Sequence, residues 1–197
     1  IKHLIELFNV DKLSKKFFDD YKKHYNKFWS YLLDTPKYKN LFPAFDKEKQ
    51  EKSIRDFTKK LLGRIVFLHF LRKKGWMGCE AHTSEWNNGE KQSLLKLLDG
   101  FSEKENFHSK CLTTLFFNTL NARRENDTFF VEGLNSTLNN TKIPYLNGGL
   151  FETDTEVNAK NIDFPVSYFQ ELFDFFGQYN FTIDENSPDD HEVGIDP

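Results

Sequence analysis

The chain holds 197 residues, enough for one compact domain with a sizeable core or for two small, tightly packed ones. Its 22 Phe, 7 Tyr and 3 Trp, beside a charged fraction of 29%, exclude a disordered chain and favour a soluble domain cored by aromatic rings. Net charge is only −3, yet residues 1–78 carry 19 Lys/Arg against 9 Asp/Glu while residues 79–197 carry 8 against 21, so a basic half precedes an acidic one.

The pattern of apolar residues predicts a mainly α fold. It reads as an irregular bundle of long, aromatic-packed helices, with at most a small β-hairpin near 143–151 and a short strand near 179–183. One domain is expected, made of a basic two-helix half (1–78), an acidic helical half (79–183) and an acidic tail (184–197). Ile1 to Val10 reads as a short apolar lead-in, helix or strand. From Ser14 to Leu33, Phe17, Phe18, Tyr21, Tyr25, Phe28, Trp29 and Leu32 recur at three- and four-residue steps, one stripe of a helix. Lys15, Lys16, Lys22, Lys23 and Lys27 fall on the other side. Pro36 biases Thr35 away from the α region and ends that helix. A second helix is expected from Asp46 to Lys74, amphipathic first and apolar nearly all round from Ile65 to Leu71, which suits a central position. Lys73-Lys74-Gly75 supplies a basic last turn and a glycine stop.

Cys79 to Gly89 reads as a polar loop, followed by helices near Gln92–Phe101 and Phe107–Asn121. Asp127–Thr141, rich in Asn and Thr, is expected to be an exposed excursion with a short strand at Thr128–Val131. Asn147-Gly148-Gly149, between apolar neighbours, favours positive φ and a tight turn. A last helix (Pro165–Gly177) precedes strand-like Tyr179–Ile183 and a poorly ordered tail with six acidic residues and no Lys or Arg.

No catalytic constellation emerges. There is no G-x-G-x-x-G and no Walker A sequence. Pro188-Asp189-Asp190 matches the first half of a metal-dependent nuclease motif, but no Glu-x-Lys follows. Cys79, His82, His108 and Cys111 form two pairs at metal-ligand spacing, a set that would support a small metal-dependent hydrolase only if they converged. They read more simply as buried thiols and surface imidazoles. His69 reads as a hydrogen-bonded core residue, and His24 with Asp20 as a solvated pair. Two cysteines make no disulfide framework, no leader peptide is visible, and the run Leu61–Leu71 is too short and interrupted to span a bilayer. A cytoplasmic protein without a membrane partner is expected. The basic faces remain. Lys15, Lys22, Lys23, Lys52, Arg55 and Lys59 are candidate contacts to a DNA backbone, whereas the aromatics follow the core stripe and so do not support base stacking.

Several segments together resemble a known family. They are Phe8 to Leu13 with Phe17 to Tyr21, Leu62 to Leu68 with Lys74-Gly75-Trp76, and Leu115 to Asn121. Pro144 to Phe151 and Tyr179 to Ile183 with Gly194-Ile195-Asp196-Pro197 complete the set. Their order resembles the region just upstream of the methyltransferase in single-chain type IIG restriction–modification enzymes and related phage-defence adenine methyltransferases. The resemblance implies a helical connector between an N-terminal nuclease and an N6-adenine methyltransferase, read as a segment of a longer protein. It carries over no catalytic, cofactor-binding or metal residue. S-adenosylmethionine, and Mg²⁺ where a nuclease is present, would belong to the parent's other domains. Implied partners are duplex DNA and the flanking nuclease and methyltransferase domains. Tyr145, Asn147, Gly148 and Gly149 form a candidate interdomain or DNA-proximal turn. The alternative is a free-standing DNA-binding or regulatory module of a phage-defence system.

Overall fold

A computed structural model of the chain describes residues 2–43, 46–146, 149–153, 157–183 and 193–196. These residues are mainly helical, and the helices meet through clusters of aromatic rings. The first helix, α1 (Lys2–Asp34), is continuous over 33 residues, so the lead-in at residues 2–10 is part of it rather than a separate segment. Thr35 is extended (φ −95°, ψ 106°), as a residue before proline should be, and Pro36 opens a single-turn helix, α2 (Pro36–Lys39), where its missing N–H is not needed. The long helix α3 (Lys47–Lys73) is capped by Asp46, whose carboxylate accepts the Lys49 N–H at 2.7 Å. Gly75 stops the chain after α3 with φ +73°, and a Cβ there would come within 2.7 Å of the Asn87 carbonyl oxygen.

The helices α1 and α3 run antiparallel: Trp29 meets Arg55, while Tyr25, a turn earlier, lies in the field of Lys59, a turn later. On the other flank of α1 sits α5 (Val166–Gly177), with Phe17 stacked on Phe175 at 5.2 Å and Phe28 edge-on to Phe169 at 5.4 Å. A short helix, α4 (Ser93–Gly100), fills the space between α3 and α5. Leu61, Leu62, Ile65 and Leu68 of α3 are wholly buried, which gives that stretch the central place its composition requires.

Three expectations change. Phe107–Leu112 and Thr114–Leu120 are wound as π-helix rather than α-helix. Threonine hydroxyls take up carbonyls along the way: Thr113 donates to the Ser109 oxygen at 2.5 Å and Thr114 to the Lys110 oxygen at 2.6 Å, which competes with the ordinary ladder. Residues 127–141 are no exposed excursion, because Phe129, Val131, Leu134 and Leu138 insert into the core. The Asn139 side chain holds that segment by accepting from Val131 N and donating to the carbonyls of Val131 and Leu134. In the tail, Val193–Asp196 (β2) forms a strand that pairs antiparallel with Asn180–Ile183 (β1) and lies beside α1, while residues 184–192 lie outside the described residues.

The stretch near 143–151 forms no hairpin among the described residues. Lys142 makes isolated bridges to Cys79 and Thr128, and Gly149–Phe151 is a 3₁₀ turn. Asn147 and Gly148, the first two residues of the expected tight turn, lie outside the described residues. At Gly149 a Cβ would meet open space and φ is not positive, so neither strain nor crowding calls for glycine there.

Candidate nucleic-acid interface

Lys15, Lys22 and Trp29 recur at seven-residue steps and share one face of α1, the face beside α3. On α3, Lys52, Arg55 and Lys59 follow at three- and four-residue steps and form the facing stripe. By this spacing five of the six candidate cations fall toward one side of the antiparallel pair, with the Trp29–Arg55 contact as the point where the two stripes meet. Lys23 is elsewhere: it pairs with Asp20 at 2.6 Å on the side of α1 that faces Tyr179.

This surface is of mixed charge. Lys52, Arg55 and Lys59 line a shallow groove of about 530 Å³ together with Asp46, Glu48, Glu51 and Asp56. Arg55 sits 3.6 Å from Glu51 and Lys59 sits 3.2 Å from Asp56. Exposed pairs of this kind are worth little and exchange readily for another anion. Lys15, Lys22 and Lys52 are exposed and make no ion pair among the described residues. Aromatics do reach this face: the Arg55 guanidinium lies 4.7 Å from the Trp29 ring, and burial raises the Tyr25 hydroxyl pKa despite nearby Lys59 and Arg55.

The segment that ends in Gly149 is tied to α3 by a residue that interrupted the apolar run. Arg64 is buried, donating from Nε to the Leu150 carbonyl at 2.8 Å and from an η nitrogen to the Glu152 carbonyl at 2.6 Å. Its guanidinium also lies 5.0 Å from the Phe117 ring centroid. Two of the segments that carry the family resemblance, around residues 62–68 and 144–151, are thus one physical unit.

Tyr145 lines a second, open cleft of about 400 Å³ with Trp86, Arg123, Arg124, Asp127 and Pro144. Its pieces come from three segments. The loop after Cys79 brings Trp86, the end of the π-helical stretch brings the two arginines, and the strand-like run after Lys142 brings Pro144 and Tyr145. Sequence reading missed Trp86, Arg123 and Arg124, although an arginine doublet at a helix end was the available signal. The Arg123 guanidinium lies 5.4 Å from the Tyr145 centroid, and the buried Lys142 ammonium lies 4.6 Å from the Trp86 centroid.

The four Cys/His candidates are not gathered, since no group of three or more His, Cys, Asp or Glu converges among the described residues. The Cys79 thiol donates to the Gly75 carbonyl, and His108 Nδ1 lies 2.6 Å from the Ile162 oxygen. Burial raises the Cys111 thiol to about 12, which makes it an inert thiol rather than a ligand or nucleophile. His82 alone of the four is exposed. His69 is buried against Phe176 (5.4 Å), and burial, with Arg72 and Lys73 adding, pulls its pKa down to about 3. No described helix is long and apolar enough to cross a membrane.

The described residues form a mainly helical, aromatic-cored fold with charged outer faces. No protein-family model matches the chain, and no solved structure does. A curated relative from Methanocaldococcus jannaschii, described as a "Putative type II restriction enzyme and methyltransferase", is 25% identical over 144 residues. The aligned part is 73% of this chain but 11% of the relative, so the chain spans about a tenth of that protein's length. Such similarity fits a protein related to restriction–modification.

Proposed function

We propose that this chain is the helical connector of a type IIG-like restriction–modification protein, acting on DNA only through its neighbours. In this reading it holds a nuclease and an N6-adenine methyltransferase at a fixed separation and touches the DNA backbone with the α1/α3 face. S-adenosylmethionine, and Mg²⁺ if a nuclease is present, would be bound by those neighbours. The observation that carries the reading is the similarity of most of this chain to a tenth of a much longer protein described as a restriction enzyme and methyltransferase. The antiparallel α1/α3 pair supports it physically. Two aromatic-packed helices resist bending, and Lys15, Lys22 and Lys52 are left able to exchange water and counterions for phosphates.

Duplex affinity measured against salt concentration tests the contact. A Lys15→Glu/Lys22→Glu/Lys52→Glu variant should bind more weakly, with a log–log salt slope shallower by about three. An unchanged slope removes the α1/α3 face from the reading. Isothermal calorimetry tests the connector role itself, since firm binding of S-adenosylmethionine by the 197-residue chain would contradict it.

A further inference from the structure

The acidic half contains eight Lys/Arg, and three of them, Arg123, Arg124 and Lys142, surround the cleft that Trp86 and Tyr145 line. A locally basic, doubly aromatic opening within an acidic surface calls for a ligand of its own.

The framework of the cleft is held from behind. Lys142 and Cys79 exchange backbone hydrogen bonds at 2.7 and 3.0 Å, which fixes the Trp86 loop against the run leading to Tyr145. The Lys142 ammonium donates to the Thr83 carbonyl and supports the indole from one side. Arg124 donates to the Thr128 and Ile143 carbonyls at 2.7 and 2.6 Å, and its buried Nε has no acceptor among the described residues. Arg123 is exposed and has no hydrogen bond or ion pair among the described residues, only the Tyr145 ring. One carboxylate, Asp127, stands 4.0 Å from Arg124 and offsets part of the positive charge.

Two rings, a proline and an unpaired guanidinium suit a flat, electron-rich ring that carries an anion. A nucleobase with its phosphate has that chemistry. A duplex cannot offer a base, because its bases are stacked inside. We propose that the Trp86/Arg123/Tyr145 cleft holds an unpaired nucleotide of a single nucleic-acid strand, the base against the aromatic rings and the phosphate on Arg123. This site is separate from the α1/α3 face and does not depend on the connector reading.

The test is fluorescence anisotropy of the 197-residue chain with a labelled oligothymidine of about twelve nucleotides, beside an abasic strand of equal length and free thymidine monophosphate. The base-bearing strand should bind about ten-fold more tightly than the abasic one. Trp86→Leu and Tyr145→Leu should each remove about ten-fold from the base-bearing strand and little from the abasic strand, while Tyr145→Phe retains affinity. Arg123→Glu, on an exposed residue that the fold does not need, should weaken both strands. Equal binding of the two strands, or indifference to Arg123→Glu and Tyr145→Leu in folded protein, would overturn the proposal. So would thymidine monophosphate binding as tightly as the strand. The Lys15/Lys22/Lys52 variant should keep the preference of about ten-fold for the base-bearing over the abasic strand, whatever it loses in phosphate contact, so loss of the backbone contact and loss of this site remain distinguishable.

Discussion

Two buried arginines of α3 have opposite standing. Arg64 satisfies two carbonyls of the 149–152 turn, so Arg64→Met would leave them without donors and should cost about 3 kcal/mol, read as a drop in urea midpoint. Arg72 is only 7% exposed, yet its Nε has no hydrogen-bond partner among the described residues, and burial lowers its pKa. Arg72→Met keeps the volume and removes a poorly compensated charge, so the same measurement should show no loss or a small gain. His69 lies beside Arg72 and adds a pH dependence. Its folded pKa near 3 is below the unfolded value of about 6.5. The unfolded chain therefore takes up a proton first, and stability should fall as pH drops from about 6.5 toward 3, approaching 1.4 kcal/mol per unit. His69→Gln should flatten that fall between pH 6.5 and 5 in denaturant titrations. An identical slope in both proteins would contradict it.

At the scale of elements, the long helices were legible because their physics is local. Stripe spacing, Asp46 as N-cap, Pro36 and Gly75 each act within a few residues, and α3 begins and ends within one residue of its expected bounds. The segment at 127–141 was not legible, because Asn and Thr there do not face water. Asn139 replaces a strand partner by satisfying three backbone groups at once. Asn139→Ala should cost about 2 kcal/mol and raise amide exchange at Val131, a larger effect than an exposed asparagine would show. The π-helical winding at 107–120 was hidden for a related reason: α and π helices have similar apolar runs, so periodicity does not separate them. That Lys52, Arg55 and Lys59 share one stripe of α3 could be foreseen from residue spacing, whereas the acids interleaved with them and the departure of Lys23 to another side of α1 could not. Nor could the Trp86–Tyr145 cleft, since its parts meet through long-range contacts, the bridge between Cys79 and Lys142 and the bond from Arg124 to the Ile143 carbonyl.

Across the whole molecule, the contrast between a basic and an acidic half does not divide the core. One cluster of buried side chains runs from Phe17 through Leu68, Phe107 and Phe129 to Tyr179, and Lys27 of the basic half pairs with Glu171 of the acidic half at 2.5 Å. Calorimetric unfolding should therefore show a single transition. A fragment ending at residue 78 should lack one altogether, because its aromatic stripe would lose Phe164, Phe169 and Phe175.

The way Arg64 grips its turn bears on how this region can drift. It reads carbonyl oxygens, which every amino acid offers, so this contact leaves Glu152 free to change identity, and Leu150 is restricted only through its packing against the core. Position 64 has no such freedom, for only a guanidinium can span both oxygens from within the helix. Among descendants of this chain, then, variation should collect on the recognised side of the contact and be suppressed on the recognising side.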